Sequence, residues 1–147
     1  MSRYYTNEAV FDLPDIGFVD STVHSVEVRL PRNRELRLVV ARFPVPAGAD
    51  FPEAVATQVK KQAARISGYA VTERRDAEVA GRPAIVLRSR WRKDEARFYE
   101  RQAHIAASPE TRMLIAVTGP ATAERACDEH FQRILDTLKL RDGGELA

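Results

Sequence analysis

The hydrophobic periodicity of the chain changes along its length, and this constrains the fold more than any other feature. Apolar residues alternate with polar ones over residues 18–43, recur at helical spacing over 51–66, alternate again over 69–118, and return to helical spacing over 127–138. Alternation is typical of strands, and a spacing of three to four residues is typical of amphipathic helices. Strands, a helix, more strands and a final helix therefore predict an α+β domain with an antiparallel sheet.

The strands are predicted from this alternation and from the turn residues between them. In the N-terminal part, one strand is expected near Tyr4 to Leu13 and a second from about Phe18 to Leu30. The segment from Leu36 to Phe43 is apolar at both alternating sets of positions, which indicates an interior strand. Four more strands, separated by turn residues, predict an antiparallel meander: residues 69–79, 83–92, 96–107 and 112–118.

The two faces of the second strand are expected to differ in function. Val26, Val28 and Leu30 share one face by alternation, which assigns them to the core. Val23 and Ser25 then lie on the opposite face, where they are free to meet a ligand.

Two helices are predicted, each with one apolar stripe. Asp50 is the expected N-cap of the first helix, and Gln58 and Gln62 lie along the edge of its stripe, one turn apart. The stripe residues of the first helix are Val55, Val59, Ala63 and Ile66. Those of the second are Cys127, Phe131, Ile134, Leu135 and Leu138. The whole pattern predicts one domain over residues 1–141 and a flexible C-terminal tail over 142–147.

Composition narrows the class of function. The chain has 147 residues, with 23 Lys and Arg against 21 Asp and Glu, so its net charge of +2 provides no strong field for polyanions. The single cysteine, Cys127, excludes an internal disulfide. The first 20 residues carry several acids and no apolar signal segment, and no run of about 18 apolar residues occurs, so a cytoplasmic protein is expected.

No catalytic or metal-binding motif is present in the sequence. His24, His104 and His130 are scattered, and none has a second ligand at metal-binding spacing. Cys127 and His130 lie three residues apart, but Cys127 falls on the apolar stripe, where it is expected to pack as a small hydrophobe. We therefore expect neither a cofactor, nor a metal, nor enzymatic activity.

An arginine-rich hairpin provides an argument for nucleic-acid binding. Arg88, Arg90 and Arg92 share a strand face, and Arg97, Tyr99 and Arg101 share a face of the next strand. The balanced net charge argues against this function, and the sequence leaves the register of the hairpin open, so the partners of these arginines are also open. Trp91, in the same hairpin, is expected to fill core volume.

Several short motifs, in a fixed order, carry a resemblance that covers about residues 3 to 140. They are Tyr4-x-x-Asn7-Glu8-Ala9, Leu13-Pro14, Asp20-x-Thr22-Val23, the helix start from Phe51 to Gln58, Gly81-Arg82-Pro83-Ala84, Trp91 and Arg101-Gln102. Together they resemble the DcrB-like family and, within it, the Eag-type chaperones of type VI secretion system effectors. The resemblance implies a Mog1/PsbP-like fold, in which two main helices flank an antiparallel sheet, and a homodimer.

The resemblance also implies a function and a set of contact residues. Eag-type chaperones are cytoplasmic and shield the N-terminal transmembrane segments of an effector, of the PAAR or Rhs type, before export. Carried over to this chain, the effector-binding residues are Val23, Ser25, Gln58, Ile66 and Gln102. Ser25 departs from the family, which usually has a larger apolar side chain there. The alternative function is a small accessory or regulatory module of the Mog1/PsbP type that docks a folded protein.

Overall fold

The computed structural model describes the backbone of residues 2–5, 10–13, 23–45 and 48–140, and the side chains from residue 23 onward within those ranges. The strands are β1 (Ser2–Tyr5), β2 (Val10–Leu13), β3 (Val23–Leu30), β4 (Arg34–Pro44), β5 (Ala70–Val79), β6 (Arg82–Lys93), β7 (Ala96–Ser108) and β8 (Thr111–Pro120). The helices are α1 (Phe51–Arg65) and α2 (Glu124–Thr137), and a 3-10 turn, Ala121–Ala123, precedes α2.

The main sheet is antiparallel and has six strands in the order β3-β4-β8-β7-β6-β5. The last four strands are neighbours in sequence order, so the predicted meander is confirmed. β4 is bonded on both sides, to β3 and to β8, which confirms an interior strand at this position. The described residues therefore have the predicted α+β architecture, with two helices and an antiparallel sheet.

The prediction of one long strand near Tyr4 to Leu13 is wrong. The structure has two short strands, β1 and β2, that pair antiparallel with each other, with Ser2 opposite Leu13 and Tyr5 opposite Val10. Because β1 and β2 run in opposite directions, they cannot belong to one continuous strand. The expected strand start at Phe18 and the tail over 142–147 lie outside the described residues.

The two helices pack on opposite faces of the six-stranded sheet, as alternation along β6 makes clear. Val86 packs in the cluster that contains Cys127 of α2, whereas its neighbours Ile85 and Leu87 pack with Val55 of α1. The α2 side holds the larger core. Its fully buried large side chains are Leu36, Val86, Tyr99, Ile105, Ile115, Val117 and Phe131.

α1 begins and ends as the sequence predicts, but its buried stripe is different. The side chain of Asp50 accepts a hydrogen bond of 2.7 Å from the Glu53 backbone N–H, which caps the first turn. Ala63, predicted on the stripe, is exposed, whereas Gln62 is half-buried. The side of α1 that faces the sheet therefore includes the polar residue Gln62 in place of Ala63.

α2 is anchored by its apolar stripe and by acidic residues in its first turns. Cys127 and Phe131 are buried, and the predicted stripe residues Ile134, Leu135 and Leu138 pack against the same core. Asp128 accepts hydrogen bonds from Tyr99 Oη, at 2.5 Å, and from Arg101 Nη1, at 2.9 Å.

The register of the arginine-rich hairpin and the partners of its arginines are now defined. Arg88, Arg90 and Arg92 pair with Arg101, Tyr99 and Arg97, so all six side chains share the α2 face. Arg90 forms a bidentate ion pair with Glu124, and its guanidinium lies 4.8 Å from the centre of the Tyr99 ring. Part of this face thus holds α2 on the sheet, which removes much of the argument for nucleic-acid binding.

The edge strand β3 carries two exposed apolar side chains on opposite faces. Val23 is 60% exposed on the α1 face, and Val26 is 50% exposed on the α2 face. Val28 and Leu30, further along the α2 face, pack against the core as predicted, so the core does not extend to Val26. Among the described residues, no helix combines the length and the apolar character needed to cross a bilayer.

Candidate functional site

A cleft runs along α1, between the helix and the ends of β4 and β8, and we call it the helix cleft. Its volume is about 670 Å³, and a further depression of about 280 Å³ begins where it ends. Gln62 and Ile66 line both cavities, so the two are continuous along the last turns of α1. The side chains that define the helix cleft include Phe43, Ala54, Gln58, Gln62, Ile66 and Arg112.

The five sequence-predicted site residues lie on the same side of the sheet. Gln58 and Ile66 line the helix cleft directly. Gln102 lies beneath α1 on β7 and is only 1% exposed. Val23 and Ser25 are on the edge strand, and both are exposed on the α1 face. The structure thus places Gln102 beneath the helix that carries Gln58 and Ile66. Val23 and Ser25 lie further out on the same face of the sheet.

Small and apolar side chains form the sheet surface between β3 and the helix cleft. Ala41, Leu114 and Ala116 are buried there, and Val39 and Phe43 pack against them. The register aligns Val23 with Ala41 on β4 and Ala41 with Leu114 on β8, so a continuous row crosses these strands.

Beneath α1, a hydrogen-bonded chain of polar side chains replaces apolar packing. Arg112 Nη1 contacts Gln58 Oε1 at 2.6 Å and His104 Nδ1 at 2.8 Å. His104 Nε2 contacts Gln102 Oε1 at 3.0 Å, and Gln102 Nε2 donates to Gln62 Oε1 at 3.3 Å. We call this set of five residues the buried relay.

Two further groups complete the hydrogen bonds of the buried relay. Gln102 Nε2 also donates to Glu100 Oε1, while Glu100 Oε2 accepts from Thr118 Oγ1 at 2.7 Å. Tyr69 Oη donates to Gln62 Oε1 at 3.0 Å and lies 2.9 Å from Ser89 Oγ. Gln102 is therefore held by the fold through both ends of its amide.

Burial shifts the ionisation of the charged groups in and beside the buried relay. Desolvation and the nearby charges of Arg112 and Arg74 lower the pKa of His104 to about 3, so its imidazole is neutral. Desolvation also lowers the pKa of Arg112 and raises that of Glu100. Arg112 is 6% exposed and stacks over the Phe43 ring at 4.5 Å, without an acidic partner among the described residues.

An aromatic stack lies where α1 ends. Trp91 is flanked by Phe98, with ring centres 5.6 Å apart, and by Tyr69, with ring centres 6.1 Å apart. Trp91 packs between these two rings, as expected of a packing anchor, but it is only half-buried and does not fill the core. Trp91 and Phe98 both line the depression that extends the helix cleft, because their cross-strand pair lies on the α1 face.

The thiol has the structural role that the sequence predicts. Cys127 is buried, and its Sγ donates to the Val117 carbonyl at 3.2 Å. Desolvation raises the pKa of this thiol to about 12, which disfavours a reactive thiolate. In the described part of the chain, no three His, Cys, Asp or Glu side chains are grouped to hold a metal ion.

Sequence reasoning missed Arg112 and His104 as partners of the glutamines. Gln102 and His104 are two residues apart on β7, which places them on one face by alternation. That spacing was a usable signal. Arg112 enters only through the pairing of β7 with β8 and the position of α1, and neither is encoded in a local motif.

Comparisons with known proteins agree with this architecture. The sequence profile of the DcrB family matches residues 8–137. The chain belongs to the DcrB family. A curated relative, Effector EagT6 of Pseudomonas aeruginosa, is 26% identical over 124 residues, which are 82% of this chain and 84% of the relative.

Two solved structures share the fold of this DcrB-family chain. PA94 of Pseudomonas aeruginosa, a protein of unknown function, superposes with a TM-score of 0.82 at 20% identity, over 96% of this chain and 97% of its own. LpqN of Mycobacterium tuberculosis, which is involved in cell envelope biogenesis, gives 0.66 at 11% identity, over 80% of this chain and 71% of its own.

Proposed function

We propose that this DcrB-family chain is a cytoplasmic, non-enzymatic chaperone that shields the N-terminal transmembrane segments of a type VI secretion effector before export. Support comes from its likeness to Effector EagT6 along most of both chains. The structural observation that carries the proposal is the helix cleft, an open groove lined by apolar side chains and by the uncharged amides of Gln58 and Gln62. Four charged side chains, Glu53, Lys61, Arg65 and Arg112, also line it. The chaperone is proposed to act as a homodimer with a Mog1/PsbP-like fold.

The physical task explains why such a groove is needed. A helix needs about 20 apolar residues to cross a bilayer, and each large side chain left in water forgoes about 1.5–3 kcal/mol of burial. A chaperone must cover this surface over an area like that of a standard protein interface, about 800 Å² per partner. A small residue such as Ala54, which lines the helix cleft, permits close approach of a helix, as small residues do between helices in membranes.

We assign the effector contacts to Val23, Ser25, Gln58, Ile66 and Gln102. Ile66 and Val23 would supply apolar contact at the two sides of the α1 face. Gln58 would supply a hydrogen bond from the cleft wall. Gln102, with 1% exposure, does not line the cleft and would act through Gln62, to which it donates a hydrogen bond.

The decisive experiment compares two substitutions on one strand. Val23→Asp and Val26→Asp introduce the same charge at similarly exposed positions of β3, but on opposite faces of the sheet. Each variant is co-expressed with a candidate effector toxin, one that carries an N-terminal apolar segment before a PAAR domain, and the soluble toxin is quantified. Val23→Asp should lower its abundance at least about tenfold, because an unpaired carboxylate against an apolar helix is costly to desolvate. Val26→Asp should have no effect.

Equal toxin levels with both variants and the unaltered chain would contradict the proposed binding face. A second arm uses a toxin that lacks its N-terminal apolar segment but keeps its PAAR domain. Loss of binding to the truncated toxin supports a chaperone for that segment. Retained binding would favour the accessory module that docks a folded protein. Gln102→Ala is less informative, because it also removes several buried hydrogen bonds.

A further inference from the structure

We propose that Gln58 and Gln62 form a pair of oriented hydrogen-bond donors on the wall of the helix cleft. Their amide nitrogens face the cleft because the buried relay holds their oxygens. The cleft would therefore select apolar ligands that carry hydrogen-bond acceptors, such as the free carbonyl groups at the C-terminal end of an apolar helix. The assignment to an effector helix rests on the proposed function, whereas the donor pair itself does not.

Arg112 determines the direction of every hydrogen bond in the relay. A guanidinium only donates, so the two contacts of its Nη1 fix Gln58 Oε1 and His104 Nδ1 as acceptors. Because Nη1 carries two hydrogens, one is available for each contact. His104 therefore carries its single proton on Nε2.

The same direction continues from His104 to α1. His104 Nε2 donates to Gln102 Oε1, which leaves the Gln102 nitrogen as a donor to Gln62 Oε1 and to Glu100. Tyr69 Oη donates to the same Gln62 oxygen. The amide oxygens of Gln58 and Gln62 are thus both occupied by donors from inside the protein, through two separate branches that start at Arg112.

The two amide nitrogens remain available. Neither Gln58 Nε2 nor Gln62 Nε2 has a hydrogen-bond partner in the described part of the chain, and neither is a buried orphan atom. Both residues line the helix cleft. They lie four positions apart on α1, so their side chains are neighbours on one face of the helix.

The charge beneath this wall favours the same class of ligand. Arg112 lines the cleft and has no acidic partner among the described residues, since its Nη1 contacts only Gln58 and His104. Lys61 and Arg65 also line the cleft against one carboxylate, Glu53, so its charged lining is positive overall. The last four carbonyl groups of a helix lack partners within that helix and carry its partial negative charge. An acceptor-rich helix end therefore matches both the donors and the charge.

The test uses two small amphiphiles of the same chain length, each below its micelle concentration. Decyl dimethylamine oxide carries an acceptor oxygen and is neutral at pH 7.5, whereas decyl trimethylammonium carries no acceptor. Side-chain amide signals in nitrogen–proton NMR spectra report binding. The oxide should move the Gln58 and Gln62 amide protons downfield and bind with an affinity that Gln58→Met or Gln62→Met lowers about tenfold, the value of one hydrogen bond.

The control variants separate a lost donor from a lost fold or an added charge. Gln58→Glu keeps an oxygen that can accept from Arg112 but removes the amide donor. It should therefore lower the affinity for the oxide as much as Gln58→Met does. Gln132→Glu makes the same change on the exposed side of α2 and should bind the oxide normally. Binding of the ammonium should be equal in Gln58→Met and the unaltered chain.

Arg112 could affect oxide binding by orienting Gln58 or only by stabilising the fold, and a double variant distinguishes the two. Arg112→Met should weaken oxide binding, and the double variant Arg112→Met/Gln58→Met should show little further loss, because both changes remove the same donor. Additive losses would overturn the positioning role. Unchanged oxide binding in the two glutamine variants, or equal downfield shifts with both amphiphiles, would overturn the donor pair.

These results are independent of those for the proposed function. If the toxin is retained by the unaltered chain and equally by Gln58→Glu and Gln62→Glu, the chaperone proposal stands and its extension to helix carbonyls is wrong. If no toxin is retained but the oxide result holds, the chaperone proposal fails while the donor pair stands.

Discussion

At the scale of single residues, His104 couples the buried relay to pH. Its pKa falls from 6.5 to about 3 in the folded chain, so between these values the unfolded chain binds more protons than the folded one. The contribution of His104 to stability is therefore fully present above pH 6.5 and is lost as the pH falls towards 3. We expect this residue to contribute a loss of up to about 1.4 kcal/mol per pH unit in that window, measured by urea unfolding at a series of pH values.

The variant His104→Gln provides the control for this prediction. A glutamine can accept from Arg112 through its oxygen and donate to Gln102 through its nitrogen, but it does not titrate. The pH slope should become smaller in this variant. The raised pKa of Glu100 has the opposite sign, because its stabilising contribution is present at low pH and decreases as the carboxyl group ionises. An unchanged slope in His104→Gln would contradict a neutral, buried His104.

The sequence predicts single residues well where a local rule decides their environment. Asp50 as the N-cap and Cys127 as a core residue follow from capping chemistry and helical spacing, and both are confirmed. Gln102 is different. Its position on β7 is local information, but its burial depends on α1 above it and on His104 and Arg112 beside it. Long-range packing of this kind is invisible in one sequence.

At the scale of elements, α2 is attached to the sheet by its apolar stripe and by two acidic side chains, Glu124 and Asp128, of which Asp128 meets the more buried partners. Asp128 neutralises Arg101, whose side chain is only 8% exposed, and also accepts from Tyr99, whose pKa is raised to about 12. Asp128→Ala would leave a buried guanidinium and a buried hydroxyl without their partner. We expect a loss of about 2–3 kcal/mol in the free energy of unfolding, measured by urea denaturation.

A second acidic residue on the same helix serves as the control. Glu129 pairs with Arg125 four positions away, and both side chains are largely exposed. Glu129→Ala should change the free energy of unfolding by less than about 0.5 kcal/mol. Similar losses in the two variants would mean that helix propensity, and not the contact with Arg101, determines the effect.

Elements with strong periodicity were predictable, and the failures have physical causes. Both helices and the meander of β5 to β8 follow from periods that a core imposes on every residue. The register of the β6–β7 hairpin could not be predicted from the sequence. A slip of one residue leaves the local hydrophobic pattern intact while it exchanges the two faces of the strand. Alternation within β3 was sufficient to separate Val23 from Val26, but not to show that the core ends before Val26.

At the scale of the whole molecule, the length of α1 limits what one chain can cover. α1 has 15 residues, which corresponds to about 22 Å, whereas a transmembrane helix of about 20 residues is about 30 Å long. A helix laid along one cleft would also keep its opposite side in water. Under the proposed function, one chain would therefore cover only part of a single client helix.

Two copies facing each other would cover the remaining length and the opposite side. We therefore expect two chaperone chains for each effector molecule, measured as the mass of the purified complex by light scattering after gel filtration. The free chaperone should have the mass of a dimer in the same experiment. A complex with one chain of each protein would mean that the client segment is shorter than a membrane span or that other parts of the effector cover it. Such a one-to-one complex would contradict the proposed homodimer. The helix cleft of one chain would then be the whole binding surface.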